Sequence, residues 1–142
     1  MEPLTPRQKE QISASYFNLL AHMLRQPALP SEQVRCLIRW ALQLGLKPDA
    51  LLKAARTSFI SEKQPTERRE KLRTVFHLVY MTCLDQVIED SELQVAQIYA
   101  DFLGLEETAV STIFQSITTA DYDELSAEEM EDQIIAVLEA AN

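Results

Sequence analysis

Two glycines serve a chain of 142 residues, and both sit in the same tripeptide, Leu44-Gly45-Leu46 and Leu103-Gly104-Leu105. So few glycines exclude a glycine-rich phosphate loop and leave little for β-hairpin turns, which need positive φ. A glycine following an amphipathic run suits instead the left-handed position that ends a helix. No segment sustains the polar/apolar alternation of a half-buried strand. The expected fold is all-α.

The chain reads as about seven helices. Thr5 and Pro6 supply an N-cap and a first helical position, and that helix should run to about Arg25 with Ile12, Tyr16, Leu19, Leu20 and Met23 inward. Pro27 and Pro30 break it. Ser31 is expected to cap a second helix that buries Val34, Leu37, Ile38 and Ala41 and leaves Arg35 and Arg39 wet. Pro48 opens a short third helix to about Ser58, and a polar linker follows from Ser61 to Pro65. A fourth, from about Thr66 to Leu84, should bury Leu72, Val75, Phe76, Val79 and Cys83. The fifth, Ser91 to Leu103, is apolar beyond its first two residues except for a stripe of Gln94, Gln97 and Asp101, so its wet face is thin. That pattern predicts a central helix, with Leu93 and Phe102 fully packed. A sixth runs from about Glu106 to Thr118. Ser126 and Glu129 form a capping-box pattern for a closing helix over about 126–140, with Met130, Ile134, Val137 and Leu138 inward.

The chain also repeats. A shift of 59 residues aligns 16–55 with 75–114 without a gap, and Phe17, Leu19, Ala41, Leu44, Gly45, Leu46 and Ala50 match Phe76, Leu78, Ala100, Leu103, Gly104, Leu105 and Ala109. Trp40 falls on Tyr99. The expected domain is thus a single one over 1–142: two duplicated three-helix units, closed by the last helix.

Charge is divided along the chain. All 13 Lys and Arg lie within residues 1–73 beside 7 acids, a net +6, whereas residues 74–142 carry 15 acids and neither Lys nor Arg, a net −15. The acidic half should repel nucleic acid and anionic lipid. Such polarity predicts a protein partner, and weak, salt-sensitive self-association between the basic part of one copy and the acidic part of another. Arg68, Arg69, Lys71 and Arg73 read as a solvated basic face, or else as a contact for acidic lipid or an acidic neighbour. No apolar run approaches the roughly 20 residues of a membrane span, and the start MEPLTPRQKEQ lacks a signal-peptide pattern. With Cys36 and Cys83 placed in apolar helical patterns, the expected location is a reducing cytoplasm.

One cluster carries candidate chemistry: Asp85, Glu89, Asp90 and Glu92, between the fourth and fifth helices. Asp90 at an N-cap and Glu92 in a first turn are favoured there by capping and by the helix dipole alone. Asp85 ends a helix, where the dipole disfavours an anion. It either knits the turn by accepting backbone N–H groups or joins Glu92, Glu89 and Asp90 around a divalent cation. Hard oxygen ligands select Ca²⁺ or Mg²⁺. The loop is not an EF-hand, because Val87 occupies a ligand position and Ala96 stands where the closing Glu belongs. His22 and His77 stand singly, with no Glu-x-x-His pair.

The run Leu84-Asp85-Gln86-Val87-Ile88-Glu89-Asp90-Ser91-Glu92, followed by Leu103-Gly104-Leu105, resembles the TerB-like domain of tellurite-resistance proteins, whose relatives occur in membrane-anchored DnaJ-type co-chaperones. The family's acidic Asp-Gly turn has an apolar residue three positions on and a Glu seven on. Asp85, Ile88 and Glu92 fill these positions, while Gln86 replaces the glycine. In the first repeat Gln26 and Gln33 stand where Asp85 and Glu92 stand in the second, so one cation site at most is expected.

The resemblance implies a non-enzymatic helical interaction or cation-sensing module in stress-related work near the inner membrane surface. The alternatives are a small metal-dependent hydrolase using the acidic turn and a self-associating structural subunit. If the turn holds a cation, Ca²⁺ or Mg²⁺ should raise the melting temperature and Asp85→Asn should abolish the rise, because an ion that binds only the folded state stabilises it. If Asp85 only knits the turn, the variant loses stability with or without metal. Differential scanning calorimetry separates the two.

Overall fold

The computed structural model describes residues 4–47, 49, 64–84, 89–120 and 126–140. Six helices are present among them and no strand: α1 (Pro6–Met23), α2 (Ser31–Gln43), α3 (Arg68–Leu84), α4 (Asp90–Phe102), α5 (Ala109–Ala120) and α6 (Ala127–Ala140). The all-α expectation holds, and the expected third helix, 48–58, falls almost wholly outside the described residues. None of the described helices is long and apolar enough to cross a membrane. The chain divides into two compact units, Thr5–Gln64 and Pro65–Asn142, with the break inside the expected polar linker.

In the first unit, α1 begins as its sequence dictates. The Thr5 hydroxyl accepts the Gln8 N–H at 3.2 Å while the Gln8 side chain accepts the Thr5 N–H at 2.9 Å, and Pro6 fills the first turn without wasting a donor. Ile12, Tyr16, Leu19, Leu20 and Met23 are buried as expected. The Tyr16 hydroxyl donates to the Leu37 carbonyl at 2.8 Å, tying α1 to α2. Burial raises the Tyr16 pKa well above its ordinary value, so this donor stays protonated.

Helix α2 departs from expectation at both its start and its face. Pro30, rather than Ser31, is the N-cap, and its carbonyl accepts the Gln33 and Val34 N–H groups at 3.0 and 3.2 Å. The inward residues are Cys36, Leu37, Trp40 and Ala41, followed by Leu44. Val34 and Ile38 are exposed, not buried. With Trp40 and Cys36 facing in, the row at 34, 38 and 42 is turned away from the core.

In the second unit the central helix is α3. It packs against α4, α5 and α6, and it buries Leu72 and every residue from Thr74 to Thr82. Cys83, expected inside, is only half-buried. Helix α4 was the expected centre, but it buries a single face: Glu92, Val95, Ala96, Tyr99 and Ala100. Leu93 and Ile98 are half-buried, and Phe102 is 46% exposed, its ring stacked on Tyr99. An apolar residue on a helix still needs a neighbour to cover it, and here α3 takes the middle. In α6 Met130, Ile134, Ile135 and Leu138 are buried, whereas Val137 is exposed, contrary to expectation. Ser126 caps α6 by accepting the Glu129 N–H at 3.2 Å.

Helices α2 and α4 share one geometry at the 59-residue offset. Each has 13 residues. In each, the residue before the helix accepts an N–H from three residues on, Gln33 to Pro30 and Glu92 to Glu89. Each ends in a Schellman turn, with Leu46 N–H donating to Ala41 at 2.8 Å and Leu105 N–H to Ala100 at 3.0 Å. Gly45 and Gly104 take φ of 72° and 78°, which costs a side-chain-bearing residue about 1–2 kcal/mol.

Leu78→Ala or Ile117→Ala, each fully buried in the second unit, should destabilise it by about 2–5 kcal/mol through lost contacts and a residual cavity. Phe102→Ala should cost much less. Urea denaturation followed by circular dichroism checks the order, and equal losses would return α4 to the centre.

Candidate functional site

The acidic turn is only partly within view. Asp85 lies outside the described residues, and the other three carboxylates have different surroundings. Glu89 is the N-cap of α4 in extended conformation and makes no side-chain cap, so it takes the place expected of Asp90. Asp90 opens the helix and is exposed, whereas Glu92 is 1% exposed. The positive end of the α4 dipole favours an anion at Glu92, which offsets part of the cost of burying it. Among the described residues no group of three or more His, Cys, Asp or Glu side chains is placed to hold a metal ion.

A second polar cluster was missed in the sequence. Helix α3 carries Arg69, Arg73 and His77 at successive i, i+4 positions, with Arg68 beside them, and each meets a carboxylate. Arg68 grips Glu106 in a two-pronged pair, Nη1 to Oε2 at 2.9 Å and Nη2 to Oε1 at 2.7 Å, and Nη2 also donates to the Leu138 carbonyl at 3.1 Å. Arg69 lies 3.8 Å from Glu139, and Arg73 lies 3.8 Å from Glu131. His77 Nε2 approaches Glu131 Oε1 to 2.6 Å, with the two side chains only 8% and 10% exposed. Of the basic patch expected to be a solvated face, Arg68, Arg69 and Arg73 therefore face carboxylates of α6 and of the residues before α5, with the Arg69 side chain still 55% exposed. Residues 69, 73 and 77 lie on one face of α3, while Glu131 and Glu139 lie two turns apart on α6. The sequence shows each spacing, but not that the two rows face each other.

The Arg68–Glu106 pair shifts the titration of both its members. The Arg68 hydrogen bonds, with one from the backbone N–H of Glu106 itself, hold the Glu106 carboxyl down at about 2, against an ordinary 4.5. The same pairing raises Arg68. Both side chains keep contact with water, so screening limits the energy this represents.

The third feature is apolar and outward. On α2, Val34 is 38% exposed, Ile38 51% and Leu42 66%. They recur every four residues and form a ridge, bordered by exposed Arg35 and half-buried Arg39. At the same register α4 carries Leu93, Gln97 and Asp101, and the Gln97 amide donates to the Asp101 carboxylate at 2.9 Å. Identical helix geometry is thus served by a polar pair in one unit and by isoleucine and leucine in the other. Nothing in that geometry requires Ile38 and Leu42 to be apolar.

A depressed carboxyl pKa stabilises the fold at pH above the unfolded value, and that stability is lost as pH falls through the folded value. The Arg68–Glu106 contribution should be complete above pH 4.5 and fade towards pH 2. Melting temperature measured between these limits should fall more steeply for the wild type than for Glu106→Gln, and parallel curves would show that the pair adds nothing.

No protein-family model matches the chain, and neither a curated protein nor a solved structure matches it, so the likeness of the acidic turn to the TerB-like domain rests on the chain's own residues.

Proposed function

We propose that this chain is a non-enzymatic, TerB-like helical interaction module that engages a protein partner through the outward face of α2. The observation that carries this is the ridge of Val34, Ile38 and Leu42, in which Ile38 and Leu42 are exposed where the equivalent helix of the second unit has Gln97 and Asp101. Water-facing isoleucine and leucine at i, i+4 spacing match the way an amphipathic helix anchors in a partner's groove. Arg35 and Arg39 along one flank favour an acidic partner and steer its approach. The titratable groups of the second unit favour binding over catalysis. Arg68 is engaged by Glu106 and a carbonyl, and His77 and Glu131 close on each other inside the core. The TerB-like part of the proposal is supported by Asp85, Ile88 and Glu92 in the acidic turn and by the two Leu-Gly-Leu helix ends.

Replacing Leu42 with a photoreactive benzoylphenylalanine in living cells should give a discrete crosslinked product that Ile38→Gln removes. The same probe at Gln115, exposed on α5, serves as the control. A Leu42 pattern no different from that at Gln115 would overturn the assignment.

A further inference from the structure

We infer that the α2 ridge pairs with the same ridge of a second copy of this chain, the two α2 helices lying antiparallel about a twofold axis at Ile38. This rests on α2 being a docking surface, and it names the partner. Between 31 and 45 the exposed positions are 31, 32, 34, 35, 38, 42 and 45, and all but Glu32 fall on one outward strip at spacings of three and four. Ile38 sits at the middle of that strip. Val34 and Leu42 lie four residues to either side of it, and Ser31 and Gly45 seven.

Such a row is its own complement. Antiparallel pairing sets Ile38 against the partner's Ile38 and Val34 against the partner's Leu42. It also sets Ser31 against the partner's Gly45, two small residues that let the helix ends come close. Helix α4 does not share this property. At the same register it carries Asp90, Leu93, Gln97, Asp101 and Gly104, so the same pairing would press Leu93 on the partner's Asp101.

Charge fixes the direction. Arg35 is exposed beside Ile38 and Leu42, whereas Arg39 is half-buried and engaged within its own chain. Parallel pairing would bring the two Arg35 side chains level with each other. Antiparallel pairing places them on opposite sides of the axis, about 9 Å apart along the helices and further across them, beyond the screening length of about 8 Å at physiological salt. Each Arg35 then lies over the last turn of the partner's α2, whose carbonyl end is the negative pole of the helix dipole.

The contact is isologous, so it closes at two chains. Three partly exposed side chains per copy cover less than the roughly 800 Å² that each partner of a stable interface buries, so the dimer should be weak. Its centre is apolar, so salt should leave it intact. That separates it from docking of the basic part of one copy on the acidic part of another.

Sedimentation velocity of the full chain at concentrations up to about 1 mM, in about 20 mM and about 500 mM salt, tests this. The wild type should pass from one chain to two as concentration rises, no less at high salt than at low. I38D should stay monomeric while keeping the helical circular dichroism of the wild type. V34E and L42K should each lose the dimer, and V34E/L42K should regain it at low salt, because antiparallel pairing sets each introduced carboxylate against the partner's introduced ammonium. The double variant also decides the matter if I38D does not fold. A monomeric wild type throughout, an I38D that dimerises like the wild type, growth beyond two chains that high salt abolishes, or a V34E/L42K no tighter than its parents overturns the inference. The Leu42 crosslink separates the two levels. A product joining position 42 to residues 31–38 of a second copy supports the pairing. A product joining this chain to a different protein, with a monomeric wild type, removes the second copy but keeps α2 as an interaction surface. No product removes both.

Discussion

A helix surrounded by other helices cannot keep charged side chains unless each finds a counter-charge, and the second unit is built on that constraint. Helix α3 is buried on nearly all sides from Leu72 to Thr82, with α4, α5 and α6 packed around it. Its apolar residues need no further explanation. His77 lies within the buried stretch, Arg73 at its edge, and Arg68 and Arg69 just before it. Taking a polar or charged group out of water without a partner is costly, so Arg73 and His77 favour a carboxylate of α6 opposite them. Glu131 meets both His77 and Arg73, and Glu139 meets Arg69. The ladder is weak evidence for extra stability, since buried pairs repay their desolvation only partly. It does fix register, because sliding α6 by a turn would leave several charges without partners at once.

The first unit shows a different use of the same helix. Helices α2 and α4 have the same length, the same turn at the start and the same Schellman end, with Trp40 and Tyr99 fully buried at matching positions. The inward positions 36, 37, 40 and 41 of α2 match 95, 96, 99 and 100 of α4, all buried, while the outward chemistry differs. On α4 the outward row closes in a hydrogen bond between Gln97 and Asp101; on α2 it stays apolar and bordered by arginine. Packing constrains only the inner face of a helix, so the outer face is available for association. That difference between two helices of one local geometry is what the proposed interaction surface rests on.

The division of charge along the sequence acquires a finer grain in three dimensions. Three of the four cations that open α3 are matched within their own unit, which leaves the remaining acids of that unit, including Glu128, Glu129 and Asp132 on α6, as its outward field. In the first unit Arg35 and Arg39 border an apolar ridge. The acidic unit would repel the phosphates of nucleic acid.

The sequence by itself determined everything that depends on neighbours a few residues away. Thr5, Pro6 and Gln8 cap α1, Ser126 and Glu129 start α6, and Gly45 and Gly104 end α2 and α4 at positive φ, because capping and left-handed turns are satisfied within a few residues of chain. The all-α class and the break near Gln64 follow from the same local signals. What only the tertiary structure decided is which apolar face is covered and which charges meet. Phe102 and Val137 read as core, and Val34 and Ile38 as a buried stripe, because periodicity reports that a face is apolar and not whether another element lies over it. Helix α4, read as the central one from its thin polar stripe, proved peripheral to α3, whose polar residues conceal its burial until their partners are in place. Glu106, Glu131 and Glu139 stand 38, 54 and 70 residues from Arg68, His77 and Arg69, and no pattern in sequence links them. Helix caps are legible because their hydrogen bonds are local; the ladder and the ridge are not, because both are set by packing between helices far apart in the chain.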